Sequence, residues 1–128
     1  MSDLVHAMAA SASGMSAQAT RLRLASENLA NVDTPGYRRK LVPFEAVHGA
    51  DGTAVRTGPV TLYRGELPKL HDPSHPLADA DGYYEASSVE PIVEIADARE
   101  ASRSYEANLR LLDQSRSMTR ALLDVLRR

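Results

Sequence analysis

No cysteine occurs in the 128 residues. Disulfides, thiol catalysis and cysteine-based metal sites are therefore excluded together, and the chain is indifferent to redox compartment. Tryptophan is also absent, and a single phenylalanine stands beside five tyrosines. The 43% hydrophobic fraction thus leans heavily on alanine, which buries little area. Apolar burial is worth about 25 cal/mol per Å², so a lone domain of this composition is marginal and borrows stability from partners. Basic blocks are missing too. With a formal net charge of −2, phosphate neutralisation is a poor basis for partner choice, and nucleic-acid binding is not expected. No apolar run approaches the roughly 18 residues of a membrane span. No lysine or arginine precedes Arg21, so the pattern of a cleaved secretory leader is not met, and any export is expected to proceed without one.

What is present falls into three zones: 1–36, a helix and its terminal turn; 37–91, an extended or β insert rich in proline and glycine; and 92–128, a second helix. Met1, Met8, Met15, Leu22 and Leu29 recur every seven residues, flanked by Leu4, Ser11, Gln18 and Ala25 and widened by Val5, Ala12, Ala19 and Ser26. Large residues on one row beside small ones suit a coiled-coil-like contact. Gly14 is the weak point, costing about 1 kcal/mol relative to alanine. Asn31, Pro35 and Gly36 then stop the helix: Pro35 cannot continue it, Asn31 tolerates the left-handed conformation, and Gly36 serves a turn. Tyr37 offers a ring to pack back over that turn.

The insert holds six of the seven prolines and five of the seven glycines. Runs at 37–47 and 55–63 favour strands, and Asp51-Gly52 between them signals a hairpin. Pro43 and Pro59 confine them to edges or irregular chain. Residues 67–84 read mostly as loop. In the third zone Ser88 and Pro91 launch a helix with Glu90 and Glu94 near its positive end. Its stripe runs Ala98, Ala101, Tyr105, Asn108, Leu112, Ser115, Thr119, Leu122, Leu126, with Leu111, Met118 and Val125 beside it. Glu106–Arg110 and Arg120–Asp124 are spaced for ion pairs. The expected fold is mainly α with a small irregular β insert. Its long terminal helices pair as a coiled-coil-like layer that neighbouring subunits complete.

Chemistry has little purchase on this chain. His71 and His75 have a zinc-like spacing, but Pro73 and Pro76 forbid the helix that would align them, and packing roles fit better. Asp79-x-Asp81-Gly82 lacks the remaining ligands of a calcium loop and reads as a turn. No nucleophile elbow, phosphate loop or dinucleotide fingerprint occurs. Arg38-Arg39-Lys40 reads as a solvated strand end rather than a phosphate site. The methionine row reads as core or subunit contact, and its face lacks the cations of a membrane-surface helix. Neither catalysis, nor a metal, nor a cofactor is expected. A small cytosolic helical adaptor or export chaperone shares these features and is the alternative from another class.

Asn28-Leu29-Ala30-Asn31-Val32-Asp33-Thr34-Pro35-Gly36-Tyr37 resembles the signature ending the N-terminal helix of bacterial flagellar rod, hook and hook-associated proteins. Ser102-Arg103-Ser104-Tyr105-Glu106-Ala107-Asn108 is similar to that family's second hallmark. Residues 72–83 resemble the middle segment of one proximal-rod member, its rod neighbour FlgB being the alternative within the family. After Tyr83, Ala86-Ser87-Ser88-Val89 stands where relatives usually carry Pro-Asn-Val.

The resemblance implies a structural subunit of the basal-body rod that crosses the periplasm and transmits torque around an export channel. It implies travel through the flagellar type III export apparatus without a cleaved leader. Partners implied are other copies, rod proteins such as FlgB, FlgF and FlgG-like subunits, the rod-base adaptor FliE and the surrounding rings. The expected packing seam is Met8, Met15, Leu22 and Leu29 with Tyr105, Leu112, Leu122 and Leu126. The turn motif is Asn28, Asn31, Thr34, Pro35, Gly36 and Tyr37, and the C-terminal motif is Ser104, Tyr105 and Asn108.

Overall fold

The computed structural model describes residues 2–128; Met1 of the heptad row lies outside the described residues. Two helices, α1 (Ser2–Ala30) and α2 (Pro91–Leu126), flank six short strands: β1 (Lys40–Leu41), β2 (Phe44–Gly49), β3 (Gly52–Thr57), β4 (Thr61–Leu62), β5 (Lys69–His71) and β6 (Tyr83–Glu85). The helices pack antiparallel, since Asn28 meets Glu94, Arg21 meets Asp97 and Gly14 lies against Asn108. At 36 residues against 29, α2 is the longer. This register carries its surplus, with Leu122 and Leu126, past the described part of α1.

Small residues fill most of the contact between the helices, with Leu24, Asn28 and Glu94 the larger exceptions. Ser11, Ala17, Leu24, Ala25 and Asn28 are buried on α1, and Glu94, Ala101 and Ser115 on α2. The α2 stripe read from the sequence meets α1 through Ala101 and Ser115, with Ala98, Asn108, Leu112 and Thr119 half-buried. The apolar side chains larger than alanine that are buried among the described residues are Leu24, Leu67 and Val89. Each is worth about 1.5–3 kcal/mol, which makes the core thin. Of the two spacings for ion pairs on α2, neither forms one; the i,i+4 pair present is Arg23–Glu27 on α1.

Strands pair as three separate antiparallel ladders, β1–β4, β2–β3 and β5–β6. The first two belong to one long hairpin interrupted on both sides by proline. Lys40 pairs with Leu62 and Leu41 with Thr61, whereas Phe44 pairs with Thr57. The register therefore shifts by one residue across Pro43 and Pro59, which have no N–H to give to a ladder. Gly58 N–H donates to the Pro43 carbonyl at 2.9 Å and bridges the gap.

The turn falls at Ala50-Asp51, one residue earlier than Asp51-Gly52 predicts, because Gly49 pairs with Gly52. Neither Ala50 nor Asp51 has positive φ; Gly52, at φ +105°, supplies it after the turn. The hairpin folds back on α1, where Ser13 Oγ accepts from Val55 N–H at 3.0 Å. Residues 67–84 are more ordered than a loop: β5 and β6 zip their ends together. His71 packs edge-on to Tyr83 at 4.8 Å and His75 stacks on Tyr84 at 3.8 Å.

Candidate functional site

The helix-end signature builds a polar junction where α1, the start of the insert and α2 meet. Leu24 and Ala25 bury the inner side of α1 one turn earlier, which carries Asn28 to 1% exposure. Its amide is fully engaged. Nδ2 donates to the Lys40 carbonyl at 3.0 Å and to Glu94 Oε2 at 3.3 Å. Oδ1 accepts from Lys40 N–H at 2.9 Å and from the Tyr37 hydroxyl at 3.0 Å. The side chain thereby pairs with Lys40 as an adjacent strand would, satisfying both backbone groups of a strand that leaves a helix. Burial raises the Tyr37 phenol above its ordinary value, which keeps it a donor.

Asn31 caps the helix by a route the sequence does not suggest. No non-glycine residue among those described has positive φ, so Asn31 is not left-handed. Its Nδ2 instead donates to the Glu27 carbonyl at 2.8 Å, satisfying an acceptor orphaned by the helix end. Its Oδ1 accepts from Thr34 Oγ1 at 3.1 Å. Thr34 to Tyr37 then form a type II turn: Tyr37 N–H donates to the Thr34 carbonyl at 3.2 Å, Pro35 sits at its second position, and Gly36 has φ +74°.

Charges surround the amide. Glu94, 1% exposed, lies against Arg39 Nε; Arg39 Nη2 reaches Asp97 at 2.8 Å, which Arg21 also holds at 3.1 Å. Lys40 Nζ pairs with Glu27 at 3.0 Å. Hydrogen bonds from Lys40 and then Arg23 hold Glu27 below the usual carboxylate range. Arg38 Nη1 donates to the carbonyls of Tyr63 and Gly65 at 3.0 and 2.8 Å. The basic triplet is therefore structural rather than a solvated strand end, each side chain tying the insert to something. Glu94, read as an acid near a helix N-terminus, is a buried ion-pair partner for which no sequence pattern gave a signal.

The return strand closes the junction. Gly36 N–H donates to the Glu85 carbonyl at 3.1 Å, and Ser88 N–H to the Tyr37 carbonyl at 3.0 Å. Ser87 Oγ donates to the Val32 carbonyl at 2.7 Å, and Arg39 N–H donates to Ser88 Oγ at 2.8 Å. Ser88 therefore does not cap α2; Glu90 is the cap residue, with Pro91 in the first helical turn.

The remaining sequence-selected residues lie along the helix pair. Met8, Met15 and Leu22 are half-buried and Leu29 is exposed, about 60° around α1 from the Ser11–Ala25 row that faces α2. Leu29 shares a groove with Ile95 and Ala98. Leu112 is half-buried, whereas Tyr105, Leu122 and Leu126 are exposed, Leu126 by 75%. Ser104 accepts from Asn108 Nδ2 through its carbonyl at 2.9 Å, and Asn108 covers Gly14.

Residues 8–38, which hold most of α1 and the turn, match the family model of the flagella basal body rod protein. Residues 80–125 match that of the flagellar basal body rod FlgEFG protein C-terminal region. The flagellar basal-body rod protein FlgC of Agrobacterium fabrum is 40% identical over 124 residues, spanning 90% of this chain and 89% of the relative. The chain belongs to the FlgC family of flagellar basal-body rod proteins. FlgC of Salmonella typhimurium is 38% identical over 83% of this chain and 85% of its own length. FlgC of Aquifex aeolicus is 38% identical over 86% and 87%. Membership makes the chain a structural subunit of the flagellar basal-body rod and favours FlgC over the FlgB-like and adaptor alternatives. Among the described residues no helix is long and apolar enough to cross a membrane.

Proposed function

We propose that this subunit stands in the proximal part of the rod, where its paired helices form the inner layer around an export channel and its insert meets neighbours further out. The rod crosses the periplasm and carries torque, and the chain reaches it unfolded through the flagellar type III export apparatus. Its neighbours are other copies, FlgB, FlgF and FlgG-like subunits, the adaptor FliE and the surrounding rings. Met8, Met15, Leu22, Leu29, Tyr105, Leu112, Leu122 and Leu126 form the packing seam between subunits. Asn28 and the Asn31–Tyr37 turn fix the direction in which the insert leaves the helices. Ser104, Tyr105 and Asn108 hold the facing part of α2.

One observation carries this reading: small residues fill most of the contact within the chain, while Leu29, Tyr105, Leu122 and Leu126 on the same helices stay exposed. A helix pair of this kind buys little stability by itself, and the ordering cost of about 1–2 kcal/mol per residue for the backbone is met on assembly.

The test is to probe salt- and detergent-washed basal bodies for the chain and to inspect rods in a deletion strain. Its presence in them, with no rod completed in the deletion strain, is the expected result; absence with intact rods defeats the reading. Leu29→Ser should then lower incorporation while leaving helix content unchanged, whereas Leu24→Ser, at a position 3% exposed, should lower both.

A further inference from the structure

The fold leaves two helical rows bare. On α1, Val5, Ala9, Ala12, Ser16 and Ala19 follow one another at alternating steps of four and three, all exposed. They lie roughly 140° around the helix from Ser11 and Ala25, which face α2. On α2, Ala107, Leu111, Gln114, Met118, Ala121 and Val125 keep the same rhythm, all exposed, beside the stripe that meets α1. One row is small and the other carries large side chains. The fold satisfies neither, because the α1–α2 contact uses different residues on both helices.

We propose that the Leu111–Met118 row of one copy seats, antiparallel, on the Ala12–Val5 row of a second copy. The proposal rests on the rod-subunit reading and adds to it the partner, the two faces and their register. Leu111 over Ala12 places Met118 beside Val5, Gln114 over Ala9 and Ala107 over Ser16, so Leu111 and Met118 face an alanine and a valine, while Val125 lies past the described part of α1. Carried one step further, the same register brings Glu100 of one copy to Arg23 of the other. These side chains are 68% and 58% exposed and opposite in charge. Within its own chain Arg23 holds Glu27 through Nη1 and Glu100 Oε2 holds Arg21 at 3.3 Å; a guanidinium has further N–H donors and a carboxylate further lone pairs. Such a rim pair sets register more than affinity. No other exact spacing aligns both the large-on-small contacts and this charge pair.

The two rows are different surfaces, so each copy that joins leaves one of each unoccupied. The contact is heterologous: it propagates around a ring or helix and does not close as a dimer.

The natural chain has no cysteine, so engineered pairs report cleanly, and a disulfide needs Cα atoms within about 7 Å. Cells co-expressing an Ala12→Cys copy and a Leu111→Cys copy should yield, in oxidised basal bodies, a covalent dimer containing one of each. A chain carrying both substitutions should give a ladder of multimers. Both copies incorporated without that dimer, or dimers joining two Ala12→Cys copies, overturns the faces and register while leaving the rod reading standing. Failure of the wild-type chain to enter basal bodies overturns the rod reading, and this proposal with it. Because either substitution alone can disturb packing, Ser16→Cys with Ala107→Cys repeats the measurement at the next rung, where no large side chain is lost.

Discussion

Asn108 on α2 sits directly over Gly14 on α1: a Cβ built on Gly14 would come within 3.0 Å of Asn108 Nδ2. The glycine that looks like a flaw in a helical heptad is the place where the partner helix approaches closely. Alanine there gains about 1 kcal/mol of helix propensity but presses on an amide already committed to the Ser104 carbonyl. Gly14→Ala alone is therefore expected to be neutral or destabilising. In an Asn108→Ala background it should stabilise by about 1 kcal/mol, a coupling of that order between residues in contact. The urea concentration that releases the chain from purified basal bodies measures both effects.

Removing the Asn28 amide strips the N–H and carbonyl of Lys40 of their partner. Asn28→Ala should cost on the order of 3 kcal/mol, and Tyr37→Phe, which loses one hydrogen bond, about 1 kcal/mol. Amide exchange at Lys40 separates the two: it should accelerate strongly in the first variant and little in the second. Equal exchange in both would contradict the pairing of that amide with the strand.

Gly36 has φ +74° and open space around its Cα, so a side chain there meets strain and no clash. Gly36→Val should block rod assembly without reducing synthesis. Gly36→Asn, whose side chain tolerates the left-handed region, should swim better. Normal swimming in the valine variant would remove the turn from the mechanism.

Asp79 Oδ1 accepts from the N–H groups of Tyr83 and Asp81 at 3.0 and 2.9 Å. The Tyr83 hydrogen bond is the main cause holding its carboxyl below the ordinary range. Asp72 is held low in the same sense, chiefly by the Ser74 hydroxyl at 2.6 Å. A depressed carboxylate stabilises the fold above its unfolded pKa of about 4, and that contribution disappears as pH falls through the lower folded value. The 72–83 loop should accordingly loosen in acid below about pH 4. Tyr83 amide exchange, corrected for its intrinsic pH dependence, should report it. Asp79→Asn should flatten the profile at that amide.

The helices were legible because a seven-residue recurrence and a Thr-Pro-Gly stop are local patterns. Ala101 and Ser115 lie on the stripe read for α2, and Asp-Gly marked the hairpin to within one residue. What escaped were partners set by distance in sequence. Arg39 and Glu94 are 55 residues apart, and each alone looks like an ordinary surface charge. Ser87 and Ser88 have no periodicity of their own, and only the folded chain brings them to Val32 and Arg39. Asn28 stood out through the signature it belongs to, not through any periodicity, since a buried amide on a helix has no spacing of its own.

The chain leaves the helical layer at 36–39 and comes back at 85–88, and these two passages are hydrogen-bonded to each other. Exit and entrance are one doorway. Everything between behaves as a cassette whose ends are fixed at a single threshold, so residues added at the exposed turn around Ala50 lengthen it without pulling the two helices apart. Load applied to the cassette reaches the helices at that threshold, on Asn28, Arg39 and Glu94, and again where the hairpin rests on α1 at Ser13.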